Sequence, residues 1–229
     1  MLKIHGVPIS VHTRKVIVAA IEKKLAYENE PVIPFNPPPG WDRLSPTGKI
    51  PVLCDGDFEL ADSSVICAYL EQTHPHPTLF PEEARDRASA LWLEEYCDGT
   101  LFREVIHGLF FQNVIRPKIL KQETDRAAVA AILGQAAPKV FSYLESVVGD
   151  GFLVGGKFGI ADIALTSNLV NFHYLGYRVD ATLYPRLAAY FKRLCRQPSI
   201  ATALRAEHGV AASMGLDLAA IEGLVPAHA

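Results

Sequence analysis

The chain has 229 residues, 49% of them hydrophobic and 21% charged, with a formal net charge of −3; that is ordinary globular usage, with room for one large domain or two small ones. The slight negative charge speaks against a nucleic-acid partner, which calls for a basic face. No apolar run reads as a bilayer span, the start MLKIHGVPIS has no basic flank ahead of a long apolar core, and Cys54, Cys67, Cys97 and Cys195 form no CxxC pair, so they read as free thiols of a reducing, cytoplasmic compartment.

LKIHG is a short strand candidate. His12–Lys24 carries apolar residues at 16, 17, 20 and 21, one stripe of an amphipathic helix. YENEPVIPF reads as a second strand, placed at a sheet edge by Pro31 and Pro34. NPPPGWDRLSPTG reads as a loop. IPVLCDGDFEL is a hairpin in which Asp55-Gly56 supplies the positive φ angles of a tight turn. DSSVICAYLEQTH is a helix capped by Asp62 or Ser63. The order is therefore β-α-β-β-β-α. The prolines of HPHPTLFPEE then mark a linker, and the apolar spacing beyond it is helical over roughly 84–116, 124–148, 161–174, 184–196 and 198–206. The expected organisation is an α/β unit over residues 1–77, a linker at 78–83 and an all-helical unit over 84–229, with a weakly patterned tail. His74 and His76 lack the carboxylate or cysteine partner of a metal site and read as solvated linker, so no metal is expected.

Three stretches suggest chemistry. Pro51 removes a ladder donor, so it belongs at a strand start or an edge. A cis bond before it would turn the backbone groups of Ile50 outward, free to pair with an added peptide strand. A trans proline opening an ordinary strand is the commoner case, cis being about 5–6% of X–Pro bonds. Asp62 and Ser63 stand at a helix start. They are either a plain cap or a grip for an amino-acid head group, Ser63 taking the carboxylate and Asp62 the ammonium. Ser10 falls between the first strand and the first helix. It is either a cap or a hydroxyl donor to a bound thiolate, and no Asp–His pair nearby in sequence would make it a nucleophile.

Taken in order, PISVHTRKV, SPTGKIPVL and LADSSVICAYLE, then a proline-rich linker and a helical region, resemble the glutathione transferase family. Within it they are similar to serine-type, theta/phi-like bacterial members. FLVGGKFGIADIALTS resembles the family segment that opens a buried helix, with Gly159 in place of the usual Ser/Thr cap and Asp162 able to reach back. The resemblance implies a thioredoxin-like N-terminal domain (βαβ-ββα) followed by a helical C-terminal domain, with Pro51 cis. It implies glutathione as co-substrate, held by Lys49, Ile50, Pro51, Asp62 and Ser63, with its sulfur facing Ser10. The loop NPPPGWDRL offers no clear partner for the glycine end. The second substrate, a small hydrophobic electrophile, would lie among His12, His107, Phe110, Phe111 and Arg116. The family also implies a cytoplasmic homodimer engaged in detoxification. A glutathione-binding protein without turnover, or a specialised glutathione-dependent dehalogenase or isomerase, are the alternatives. Moving a thiol pKa from about 8.5 to about 6.5 takes roughly 2.7 kcal/mol. A hydrogen bond to a charged group supplies about 1.5–3 kcal/mol and a helix N-terminus about 0.3–1 kcal/mol.

Overall fold

The computed structural model describes residues 1–226, so the expected end of the helical unit at 229 lies outside the described residues. Strands β1 (Leu2–His5), β2 (Tyr27–Glu30), β3 (Val52–Asp55) and β4 (Phe58–Ala61) form one sheet in the order β2-β1-β3-β4. β1 and β2 are parallel and joined through helix α1 (Val11–Glu22), whereas β3 runs antiparallel to β1 and β4 antiparallel to β3. The alternation of a pleated strand sorts side chains to two faces. Leu2, Ile4 and Leu53 enter the main core with α1 and α3 (Ser63–Thr73). Lys3, His5 and Cys54 occupy the other face, over which Trp41 builds a small separate core with Val32 and Val52.

Three local readings change. β2 is an edge strand as expected, but it ends at Glu30, ahead of both prolines. The hairpin pairs Asp55 with Phe58, so Gly56 and Asp57 form the turn, and Gly56 carries the positive φ of 63° without Asp55. The expected loop 36–48 contains a one-turn helix, α2 (Trp41–Leu44), too short to show a periodic pattern.

The helical part begins with α4, which runs Ala84–Glu95 and continues through π-type turns at Tyr96–Ile106, an α turn at His107–Phe110 and π-type turns at Phe111–Ile119. Next comes α5, Arg126–Val147, which by length and composition alone meets the criterion for a membrane span that the sequence reading did not find. Here it packs through Ala137, Val140, Phe141 and Leu144. Helix α6 (Ile160–Tyr174) is buried along its whole length, and α7 (Pro185–Leu194) packs beside it. α8 (Pro198–Ser213) extends past the expected residue 206, and the tail adds a short α9 (Ala219–Glu222).

The start of α6 shows why glycine stands at 159. The Asp162 carboxylate accepts from Gly159 N at 2.9 Å, and a Cβ on Gly159 would lie 2.7 Å from the Leu79 carbonyl oxygen. The linker is pinned from the other side. Lys23 donates to the carbonyls of His74 and Pro77, and Glu71 pairs with Lys23 and accepts from Thr78 and Leu79. Helix α1 is buried on nearly every side from Thr13 to Ala20 because the sheet and α3 cover one flank while α6 and α8 cover the other.

Candidate active site

Ser10 is the N-cap residue of α1, with extended backbone angles (φ −67°, ψ 133°). Its carbonyl accepts the first helical bond from Arg14 N at 2.8 Å, yet its hydroxyl makes no capping hydrogen bond. A serine cap ordinarily spends its side chain on the N–H groups of the first turn. Here that oxygen is left for other work, half-buried at the positive end of a twelve-residue helix.

Two elements close on Gly6, the first turn of α1 at Thr13 and Ile50 ahead of β3. The Ile50–Pro51 bond is cis, and Pro51 immediately precedes β3, a central strand, so it sits at a strand start and costs the sheet no ladder donor. Gly6 follows β1 with φ 151°, and a Cβ there would come within 2.5 Å of Thr13 Oγ1 and 3.2 Å of Ile50 Cβ. Only glycine allows the β1 end, the first turn of α1 and Ile50 to meet this closely. Lys49 is exposed, its carbonyl fixed by Ser45 Oγ at 2.7 Å.

At the head of α3, Asp62 is the cap and Ser63 the first helical residue. Asp62 Oδ1 accepts from Ser64 N at 2.9 Å and Val65 N at 3.2 Å. Both bonds use one oxygen of an exposed residue, and Oδ2 takes no part in the cap. Asp62 also holds φ 77° and ψ 126°, a region disfavoured for residues with a Cβ, at a cost of about 1–3 kcal/mol. Strain of this size at a helix head is characteristic of ligand clamps. Ser63 is buried.

The sequence reading missed the group beneath these residues. Lys15, fully buried on α1, donates to Ser64 Oγ at 2.9 Å, to Glu94 Oε1 at 2.7 Å and to Asp98 Oδ2. The cluster ties the head of α3 to α4 through α1. Burial, the largest single influence, raises the Asp98 carboxyl, but the Lys15 charge, the nearby His12 and the hydrogen bond from Lys15 together outweigh it and hold Asp98 down at about 2. Burial likewise opposes the Lys15 charge, and Asp98 and Glu94 together lift its pKa above the ordinary lysine value. His12 Nδ1 lies 3.8 Å from Asp98 Oδ2.

The expected second-substrate residues divide. His12 packs edge-on against Phe102 with ring centroids 4.5 Å apart, and Phe102 lies 5.7 Å from His107. These three rings form a continuous row along the α1–α4 boundary, and Phe102 was not anticipated. Phe110 and Phe111 are both half-buried. Arg116 is turned to the following loop, its Nε donating to the Glu123 carbonyl at 2.9 Å.

The chain is similar to known proteins over most of its length. Family models described as the glutathione S-transferase N-terminal and C-terminal domains match residues 4–78 and 110–207. Among curated relatives, a glutathione S-transferase of Silene vulgaris is 28% identical over 86% of this chain and 94% of its own length. Glutathione S-transferase 3 of Zea mays is 30% identical over 70% of this chain and 73% of its own. FtsZ-localized protein A of Caulobacter vibrioides is 24% identical over 86% and 90%. Among solved structures, a glutathione S-transferase from Rhodospirillum rubrum superposes with a TM-score of 0.82 at 26% identity, covering 89% of this chain and 92% of that one. One from Methylobacterium radiotolerans, in complex with glutathione sulfonate, has a TM-score of 0.74 at 25% identity, covering 88% and 93%.

Proposed function

Because the chain belongs to the glutathione S-transferase family, we propose that it is a serine-type transferase joining the glutathione thiolate to small hydrophobic electrophiles in the cytoplasm. The observation that carries this reading is the Ser10 hydroxyl, left without a capping bond at the start of α1, the helix whose first turn closes on Gly6 at Thr13 while Ile50 closes on Gly6 from the other side. In this reading residues 1–77 hold the tripeptide. Its cysteinyl backbone pairs with Ile50 at the turn shaped by Pro51, and its γ-glutamyl end meets Asp62 Oδ2 and the Ser63 N–H, while Lys49 lines the exposed side. Ser10 donates to the sulfur and favours the thiolate. Attack then follows from proximity, with the electrophile against His12, Phe102, His107, Phe110 and Phe111. Arg116, tied to the Glu123 carbonyl, takes no part in this pocket.

The same reading includes a homodimer. Phe58, Val65, Leu91 and Trp92 from β4, α3 and α4 are large apolar side chains left exposed, Trp92 by 55%. A second copy covering them removes apolar surface from water. Sedimentation should give a dimer that Trp92→Glu weakens.

Retention on immobilised glutathione and turnover of an aryl halide test the enzyme reading together. Ser10→Ala should lower kcat/KM by about 10- to 150-fold, the worth of a hydrogen bond to a charged group, and move the thiol limb of the pH profile upward. If millimolar glutathione leaves the melting temperature unchanged, the reading fails. The second reading is a glutathione-binding protein without turnover, since one relative, FtsZ-localized protein A, is not named as a transferase. Glutathione retention combined with no turnover of any aryl halide, and no dehalogenase or isomerase activity, would select it.

A further inference from the structure

We infer that Cys54, His5 and Glu30 form a second, thiol-based site on the outer face of the sheet, where a small disulfide is exchanged onto Cys54. This site is separate from the Ser10 cleft and does not rest on the transferase reading. The strand register assembles it. His5 of β1 pairs with Glu30 of β2, and Cys54 of β3 pairs with Lys3, two residues before His5 on the same face. The intervening Ile4 and Leu53 point into the main core. Glu30 Oε2 lies 3.1 Å from His5 Nδ1, and His5 Nε2 lies 3.4 Å from Cys54 Sγ.

That line has the order of orienter, base and nucleophile. The carboxylate assigns the proton to His5 Nδ1 and leaves the Nε2 lone pair facing the thiol. Access is selective as well. Cys54 is only half-buried, whereas Cys67, Cys97 and Cys195 are fully buried. Burial, and then the Glu59 and Glu30 carboxylates, hold the Cys54 thiol above the ordinary range, so it rests protonated. What it lacks for attack is a place for its proton, and His5 supplies one.

The step balances without any other group. Cys54 Sγ gives its proton to His5 Nε2 as the sulfur attacks one sulfur of the incoming disulfide. The disulfide's S–S bond breaks, a new S–S bond forms on Cys54, and the departing thiolate takes the proton back from His5. Cys54 is oxidised and the leaving half of the disulfide is reduced. Displacement at sulfur builds no charge on an oxygen, so proton transfer is the assistance it needs. Acyl transfer would further require donors to an oxyanion.

The test uses the full chain and glutathione disulfide as probe, followed by intact mass and peptide mapping between pH 6 and 10. One adduct is expected, on Cys54, and absent in Cys54→Ser. His5→Gln should slow it about tenfold or more at pH 7. The two rates should converge toward the alkaline end of that range, as the thiol begins to ionise unaided. Glu30→Gln, at a partly exposed carboxylate, should slow it less, and it reads the same dependence should His5→Gln fail to fold. An adduct on another cysteine, no adduct, or equal rates at pH 7 for the parent and the folded variants would overturn the assignment. Glutathione retention by Cys54→Ser is scored separately, so failure here and failure of the Ser10 reading are distinguishable.

Discussion

Arg14 and Lys15 are adjacent on α1 and equally buried, but they sit in different kinds of pocket. Every N–H of Arg14 is used. Nε and Nη2 grip Glu207 at 2.8–3.1 Å, Nη1 donates to the Ser167 carbonyl and Asn171 Oδ1 at 2.8 Å, and Nη2 reaches the Ile9 carbonyl at 3.2 Å. Tyr174 adds a hydroxyl donor to Glu207 at 2.9 Å. The planar fork of arginine fits such a closed set, whereas the lysine ammonium is a point charge with three donors. Those three go to Ser64, Glu94 and Asp98, and the second carboxylate leaves the Lys15 group with a formal surplus of one negative charge beside His12. One pocket therefore locks the two halves of the chain together. The other joins that lock to the rim of the cleft.

The sharpest break of this contrast is on the Arg14 side. Glu207→Ala leaves a fully buried guanidinium without its counterion, and should cost about 3–5 kcal/mol in urea unfolding. Arg14→Met combined with Glu207→Leu should recover most of that loss, because a buried pair replaced by apolar groups of similar volume is often close to neutral. If the single and double variants are equally unstable, the pair is not the closed unit described.

Acid separates the pockets from a buried base that has no partner. His173 on α6 has both ring nitrogens buried without a hydrogen-bond partner among the described residues, and burial, then Arg178, depresses it to about 4. Its folded pKa lies below the ordinary 6.5, so the stability tied to its neutral form is complete above 6.5 and is lost as pH falls through about 4. That amounts to roughly 3 kcal/mol. His173→Leu should flatten this window in thermal melts. Asp98 works lower. Its folded pKa of about 2 lies below the ordinary 3.8, so its contribution of roughly 2 kcal/mol is present above 3.8 and lost as pH falls through about 2. Asp98→Asn should remove that lower window alone and leave the His173 window in place.

Much of the first half was legible in the sequence because its signals are local. The four strands, α1, α3 and the hairpin announce themselves through periodicity, Asp-Gly and the cap at Asp62, and the place of Pro51 follows from its missing N–H. The buried charges were not legible. Arg14 and Lys15 look like the solvated face of an amphipathic helix until a second domain covers that face. Their partners lie 193, 79 and 83 residues away, beyond any spacing rule. The Cys54–His5–Glu30 line was hidden for the same reason, since it exists only once the strand register is fixed. Phe102 escaped notice because its neighbour across the boundary, His12, comes from the other domain.

The finest test of the contrast is Ser64→Ala. Lys15 keeps both carboxylates, so the loss of one neutral hydrogen bond should cost only about 1 kcal/mol of stability. Yet Ser64 is the residue whose N–H is capped by Asp62 and whose hydroxyl anchors that turn to Lys15. Releasing the anchor lets Asp62 and Ser63 shift relative to Ile50, so under the proposed function glutathione KM should rise several-fold while kcat, which that proposal assigns to Ser10, stays put. Asn171→Ala in the Arg14 pocket removes a bond of similar length, 2.8 Å, and should cost stability with no change in KM. If both variants raise KM alike, the two pockets are one mechanical unit and the distinction between lock and rim does not hold.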